Sequence, residues 1–224
     1  MSWSDVFFPD NPAKREEVIR RNQELRELMK NNFRATNQLI EILDKHLGLS
    51  FSPIYLNNDA TIKENCEVMI QRMHEIQAEV KKIEEKLKEK LEPDLYEKLK
   101  TLSPSIKDLK QIQLILSGSL GALSLVSATV VCYLIKSGRI LVNVISTCAK
   151  ACAGAFFSLG LGVLFMGVDM MIQAILGAKD RDQLEQALEE YKKALDEFRP
   201  ASEKFQDNIT YVKIKIEMMQ EEGN

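Results

Sequence analysis

The chain has 224 residues with a formal net charge of −3, and 28% of its residues are charged. This length suffices for one or two domains with a buried core. The slight excess of acidic residues excludes the broad basic surface of a nucleic-acid-binding protein, so nucleic acid is not an expected partner.

Charged residues are distributed very unevenly along the chain. Of the 30 basic and 33 acidic residues, only four lie between positions 111 and 177. These four are Lys136, Arg139, Lys150 and Asp169. We therefore predict three regions. They are an N-terminal helical and coiled-coil region at 1–110, an apolar membrane region at 111–177 and a C-terminal coiled-coil helix at 178–224.

The first residues do not resemble a secretory signal peptide, because residues 1–9 lack a basic start followed by a long apolar run. The four cysteines also lack the spacing of a disulfide framework. Together these features predict reduced thiols in a cytosol-facing or membrane setting. The cysteines are Cys66, Cys132, Cys148 and Cys152.

The first predicted helix begins at Asp10-Asn11-Pro12, where a capping residue precedes a proline. We expect it to end near Leu47, with Gly48 in a left-handed cap. Polar Asn32 interrupts its apolar stripe. The proline and asparagines between Ser50 and Asp59 predict a loop. The stripe comprises Val18, Leu25, Leu28, Leu39 and Ile42.

The second predicted helix has an apolar residue at alternating intervals of four and three for more than three heptads, which is typical of a coiled-coil seam. Pro93 should end or bend this helix, and Ser103-Pro104 should begin the next. The seam comprises Ile62, Cys66, Met69, Met73, Ile76, Val80, Ile83 and Leu87.

The C-terminal region carries the same alternation, with Ser202 as its one departure from apolar residues. Pro200 lies within it, so we expect a kink or short break there, with the seam continuing beyond. The spacing is compatible both with a bundle within one chain and with a coiled-coil dimer. The seam comprises Leu184, Leu188, Tyr191, Leu195, Phe198, Ser202, Phe205, Ile209, Val212, Ile216 and Met219.

The central region predicts membrane residence. Residues 111–135 and 151–168 carry no charge, and about 20 apolar residues suffice to cross a bilayer. A tight hairpin turning at Ser137-Gly138 would bury Lys150 in lipid, at a cost of several kcal/mol. We therefore predict spans at 114–135 and 151–171, a connector at 136–150 and cytosolic termini, hence an integral membrane protein with the lipid bilayer as a partner.

No catalytic, cofactor-binding or metal site is predicted, and no small-molecule substrate is evident. His46 and His74 lie on different predicted helices without further ligands, and Cys148 and Cys152 share a helix face in apolar sequence. Cys132 is a possible palmitoylation position. Asn208-Ile209-Thr210 is an N-glycosylation sequon, expected to remain unused on a helix. An enzyme is therefore not expected.

Several segments together resemble a vertebrate family, the single-pass membrane and coiled-coil domain-containing proteins. The resemblance implies coiled coils, one membrane span and no assigned activity, whereas the charges favour two spans; a single span would lie near 154–175. The segments are Phe8-Pro9-Asp10-Asn11-Pro12, Arg15-Glu16-Glu17, Ala35-Thr36-Asn37-Gln38-Leu39, His46-Leu47-Gly48-Leu49-Ser50-Phe51-Ser52-Pro53 and Ala60-Thr61-Ile62-Lys63-Glu64-Asn65-Cys66.

The sequence thus predicts an all-α protein, with long heptad-patterned helices in a bundle around or beside a central apolar helical hairpin. The leading functional prediction is a non-enzymatic, membrane-anchored scaffold that binds protein partners or self-associates through its heptad seams. The alternative is a membrane-remodelling or pore-forming protein that inserts its apolar hairpin conditionally.

Overall fold

Helices dominate the structure, a computed structural model that describes residues 10–101, 105–120, 124–152 and 181–222. Within these ranges no residue belongs to a β-strand, and the predicted all-α fold is confirmed. In chain order the helices are α1 (Asn11–Leu47), α2 (Ile62–Lys90), α3 (Pro93–Thr101), α4 (Ile106–Leu120), α5 (Leu125–Cys152) and α6 (Arg181–Glu222).

The described residues fall into two compact units. One draws on Met1–Phe33, Tyr55–Ile70 and Val144–Glu203, and the other on Arg34–Ile54, Gln71–Asn143 and Lys204–Asn224. Helices α1, α2, α5 and α6 each contribute residues to both. The predicted division into 1–110, 111–177 and 178–224 is a division by composition and stays a prediction.

Helix α1 ends as its sequence predicts. Gly48 has a φ of 65°, a left-handed conformation that a residue with a Cβ adopts at a cost. The Gly48 N–H donates to the Asp44 carbonyl at 3.0 Å, and the Leu49 N–H donates to the Leu43 carbonyl at 3.2 Å. These bonds satisfy carbonyls that the end of a helix would otherwise leave without partners.

Helix α2 follows the predicted loop and begins with a capping box. The Glu64 carboxylate accepts from the Thr61 N–H at 2.7 Å, and the Thr61 hydroxyl accepts from the Glu64 N–H at 3.2 Å. All eight residues of its predicted heptad seam, from Ile62 to Leu87, are buried within the single chain. Pro93 begins the separate helix α3, as a residue that cannot continue α2 would.

Helix α4 is capped by Ser105. The Asp108 carboxylate accepts from the Ser105 N–H and hydroxyl, both at 2.8 Å, and the Ser105 hydroxyl accepts from the Asp108 N–H at 3.2 Å. The predicted start at Ser103-Pro104 lies outside the described residues. A capping box thus marks the beginnings of both α2 and α4.

The first predicted membrane span, 114–135, does not form one helix. It covers the end of α4 and the beginning of α5, and α5 starts at a cap in which the Ser124 hydroxyl accepts from the Ser127 N–H at 3.2 Å. Helix α4 has 15 residues, about 22 Å of axial rise against a hydrocarbon core of about 30 Å.

The predicted connector at 136–150 is also helical. Ser137 and Gly138, considered above as a turn, lie inside α5, whose 28 residues include Lys136, Arg139 and Lys150. Charges spaced along the helix in this way prevent it from presenting an uninterrupted apolar length to lipid.

The prediction of an integral membrane protein is therefore wrong. Across the four described ranges, no helix combines the length and the apolar composition needed to cross a bilayer. The second predicted span, 151–171, and the single span near 154–175 lie outside the described residues apart from positions 151 and 152. The conditional-insertion alternative depends on the same segments.

Helix α6 carries the predicted C-terminal seam. The helix continues through Pro200 without a break, and the proline ring is exposed. Pro200 therefore removes one backbone hydrogen bond but does not end the helix. The seam continues beyond it, as predicted. On either side of Pro200, the buried seam residues are Leu184, Tyr191, Leu195, Phe198, Ser202, Phe205, Ile209, Val212 and Ile216.

Candidate interaction surface

In the part of the chain that the structure describes, neither histidine is grouped with other metal-binding side chains. His46 lies half-buried on α1, where burial and then the charge of Lys45 lower its pKa, and His74 is exposed on α2. Among the described residues, no three His, Cys, Asp or Glu side chains are grouped as a metal site requires. The positions of His46 and His74 therefore do not indicate a function.

The cysteines considered from the sequence are buried where the structure describes their side chains. Cys132 and Cys148 are enclosed on α5, and the side chain of Cys152 lies outside the described set. Burial raises the pKa of the Cys132 thiol to about 12, so this thiol is protonated at neutral pH. Palmitoylation of Cys132 stays a prediction, and it would require exposure of this side chain.

The glycosylation sequon lies within α6. The Asn208 side-chain amide donates to the Lys204 carbonyl of the preceding turn, so its nitrogen is engaged by its own helix. Its expected lack of use stays a prediction.

A second apolar stripe lies on α6 and is exposed. Tyr211, Ile214 and Met218 retain 46%, 49% and 46% of their accessible surface. They are spaced by three and four residues, so they lie on one face of the helix. Because single exposed apolar residues are common and contiguous ones are not, a stripe of three indicates an interaction surface.

This stripe faces away from the buried seam. At 100° per residue, the stripe is rotated by about half a turn from the seam residues Phe205 and Ile209. The end of α6 therefore has two apolar faces, one inward and one outward. The outward stripe was not predicted from the sequence, although its residues show the same spacing of three and four as the longer seam.

The charges beside the stripe change sign along the helix. Lys213 and Lys215 come first, and Glu217 and Glu221 follow. All four side chains are exposed, and none makes an ion pair with any residue in the described part of the chain. At 100° per residue, Lys215 lies on one flank of the stripe, and Glu217 and Glu221 lie on the other.

A groove of about 190 Å³ runs beside the stripe. Its buried walls include Val130, Cys132 and Ile216, and its rim includes Tyr211 and Lys215. The Lys215 ammonium lies 5.7 Å from the centre of the Tyr211 ring, and the rings of Tyr133 and Tyr211 are 6.2 Å apart.

The volume of the groove limits what it can hold. Small-molecule sites usually enclose about 300–1,000 Å³, so this groove is smaller than such a site. A single apolar side chain from a partner, of the kind that anchors many protein interfaces, suits it better. The groove therefore extends the stripe as a protein-binding surface.

Comparison with known proteins places most of the chain in one family. A family model described as "Protein of unknown function (DUF4533)" matches residues 14–167, more than half of the chain. No solved structure matches the chain. The match carries no activity, and the resemblance to the membrane and coiled-coil family stays a prediction. The stripe on α6 lies beyond the matched residues.

Proposed function

We propose that this chain, which belongs to the DUF4533 family of proteins of unknown function, is a non-enzymatic interaction protein whose C-terminal helix binds a helix of another protein molecule. The observation that carries the proposal is the exposed stripe of Tyr211, Ile214 and Met218. Its spacing suits a second helix lying along α6.

Only the coiled-coil part of the family resemblance enters this proposal. The seam of α2 and the inward seam of α6 are buried within the chain, so a partner would have to open the core to reach them. The outward stripe requires no such opening. Binding at the stripe leaves the fold intact, because α6 presents this face outward while its inward seam stays buried.

The expected strength of binding is modest. Completing the burial of three half-exposed apolar side chains contributes about 1 kcal/mol each. Association costs about 4–15 kcal/mol in lost translational and rotational freedom. The stripe therefore needs the adjacent groove and the charges on its flanks, and binding should be reversible rather than permanent.

The proposal is tested by a double variant, Ile214→Gln with Met218→Gln. Glutamine keeps a high helix propensity, so the change removes apolar surface without favouring the unfolding of α6. The matched control is Leu114→Gln, because Leu114 is a 79% exposed apolar residue on α4. Circular dichroism and chemical denaturation establish that all three proteins fold alike.

The measurement is quantitative affinity purification of the tagged full chain from cells, followed by mass spectrometry. We expect a defined set of associated polypeptides, including untagged copies of this chain, to be lost from the stripe variant and retained by the Leu114→Gln control. Equal recovery with all three proteins overturns the proposal. Catalytic turnover that a single polar substitution abolishes would overturn its non-enzymatic part.

A further inference from the structure

We propose that Ser52 is a phosphorylation site for protein kinases that require a proline directly after the phosphorylated residue. The site lies in the loop between α1 and α2, and it goes beyond the proposed function because it does not involve the stripe on α6. Three features of the loop carry the proposal. They are the Ser52-Pro53 pair, the exposure of both residues in the folded chain and the surroundings of the Ser52 hydroxyl.

The Ser52-Pro53 pair holds the backbone in a form that suits a kinase active site. Proline has a fixed φ, and the residue before a proline is restricted to extended conformations. Protein kinases bind the residues around the phosphorylated hydroxyl in an extended form, so this pair loses little conformational freedom on binding. The chain has one other Ser-Pro pair, Ser103-Pro104, which lies outside the described residues, and it has no Thr-Pro pair.

The loop holds this pair at the surface of the folded chain. On one side, Gly48 ends α1. On the other side, Ile54 is buried; its N–H donates to the side-chain oxygen of Asn37 at 2.9 Å, and the Asn37 amide donates to its carbonyl at 2.8 Å. Ser52 and Pro53 lie between these anchors, and both are exposed. The hydroxyl and the ring that such a kinase recognises are therefore accessible without the opening of a helix.

The Ser52 hydroxyl differs from other hydroxyls of the chain. It makes no hydrogen bond with any residue in the described ranges. The hydroxyl of Ser50, two positions earlier, donates to the Asp44 carboxylate, and Ser50 is followed by Phe51 rather than proline. Ser52 can therefore present its oxygen to a kinase without first breaking a bond within the chain. Hydroxyls that accept hydrogen bonds at helix caps are those of Thr61, Ser105 and Ser124.

The modification is a phosphoryl transfer from ATP. The Ser52 Oγ attacks the γ-phosphorus, the bond from that phosphorus to the oxygen bridging it to the β-phosphate breaks, and ADP leaves. A carboxylate of the kinase takes the hydroxyl proton. The phosphate adds a charge of about −1.5 to −2 at neutral pH. This charge lies on an exposed loop, so the modified chain should keep its fold.

The first experiment incubates the folded, purified full chain with a proline-directed kinase, Mg²⁺ and ATP, and maps the phosphorylated peptides by mass spectrometry. We expect phosphate on Ser52. Ser52→Ala should abolish this phosphopeptide. Pro53→Ala keeps the hydroxyl and should slow its phosphorylation by about tenfold or more, because the kinase then lacks the residue for which it selects.

Two variants serve as matched controls. Ser50→Ala changes the neighbouring exposed serine, and Ser103→Ala changes the serine of the other Ser-Pro pair. Both should retain phosphorylation of Ser52. Circular dichroism establishes that every variant is folded. The absence of phosphate on Ser52 of the folded parent chain overturns the proposal, as does an equal rate for Pro53→Ala.

The second experiment asks whether the site is used in cells. The tagged full chain is isolated with phosphatase inhibitors present, and the peptide containing Ser52 is quantified with and without an inhibitor of proline-directed kinases. We expect a phosphorylated fraction that falls when the inhibitor is added and is absent from Ser52→Ala. A peptide that stays unmodified in growing, mitotic and stressed cells contradicts the proposal, and a phosphorylated fraction unaffected by the inhibitor assigns the site to another class of kinase.

Discussion

The side-chain amide of Asn32 donates a hydrogen bond of 2.8 Å to the hydroxyl of Ser202, and both residues are almost completely buried. Asn32 interrupts the apolar stripe of α1, and Ser202 is the one polar residue in the seam of α6. The two buried polar side chains that interrupt these apolar stripes therefore form a hydrogen bond with each other. The bond joins positions 170 residues apart and favours one register of the two helices.

Removing one member of this pair should destabilise the fold. Asn32→Ala leaves the buried Ser202 hydroxyl without this donor, and we expect the free energy of unfolding to fall by about 1–3 kcal/mol. Urea denaturation measures the change, with Gln23→Ala at an exposed position of the same helix as the control. The double variant Asn32→Ala/Ser202→Ala should lose less than the single variants Asn32→Ala and Ser202→Ala combined. Strict additivity in this double-mutant cycle would contradict the pairing.

Two glycines should respond to alanine in opposite directions. Gly138 lies inside α5 with open space around the position of an added Cβ, so Gly138→Ala should stabilise the fold by about 0.5–1 kcal/mol. Gly48 also has open space, but its positive φ makes Gly48→Ala destabilising by about 1 kcal/mol. Thermal denaturation compares them. Destabilisation by Gly138→Ala would instead show that this position is not a regular helix interior.

Acid should weaken the starts of α2 and α4. The Thr61 backbone N–H and then its hydroxyl lower the pKa of Glu64 below 4.5, and the corresponding groups of Ser105 lower that of Asp108 below 3.8. Because the folded pKa values lie below the unfolded ones, their contribution is present above the unfolded pKa and is lost as pH falls through the folded value.

The measurement is the free energy of unfolding between about pH 6 and pH 3, the range that spans ordinary carboxyl pKa values. Glu64→Gln and Asp108→Asn should each flatten its acid decline. Glu67→Gln removes a carboxylate that caps no helix end and should leave the slope closer to that of the parent. An unchanged slope in both cap variants would show that the capping boxes do not contribute to the loss of stability in acid.

Cys132 should resist alkylation in the folded chain. Its thiol is enclosed, and burial raises its pKa from 9.0 to about 12, so little nucleophilic thiolate forms. Iodoacetamide labelling read by peptide mass spectrometry should modify Cys132 only after unfolding, while an introduced Ser146→Cys on the exposed side of α5 reacts at once. Rapid native labelling of Cys132 would show that this part of the fold opens.

The same shift has an alkaline consequence. A folded pKa raised above the unfolded value gives stability that is present below pH 9 and is lost as pH rises toward 12. Cys132→Ser should therefore show a shallower alkaline decline than the parent chain. Measuring the free energy of unfolding of both proteins across this pH range shows whether stability falls as the pH rises and whether Cys132→Ser reduces that fall.

The heptad spacing predicted the helices well because the same residues that produce the pattern fill the core. The eight seam residues of α2 are buried, and α1 ends at Gly48 for the conformational reason its sequence indicated. These features depend on local spacing and backbone sterics, which a sequence displays directly.

The prediction for residues 114–150 failed because it depended on runs of uncharged residues, and such runs do not show where a helix begins or ends. Ser124 caps α5 in the middle of the uncharged stretch, and Lys136 and Arg139 lie inside a continuous helix rather than in a connector. Caps and helix continuity depend on single hydrogen bonds, which a composition window does not record. The outward stripe was missed for another reason: exposure is a property of the packed structure.

The two apolar faces of α6 also bear on how the chain reaches its fold. A half-turn rotation of its last turns would bury Tyr211, Ile214 and Met218 and expose the inward seam, so hydrophobicity alone gives two competing answers. The native rotation encloses Phe205 together with three aliphatic residues, whereas the rotated state would enclose a phenol and a thioether. The apolar pattern of α6 alone is thus compatible with two rotations of the helix, and the size and shape of the enclosed residues distinguish them.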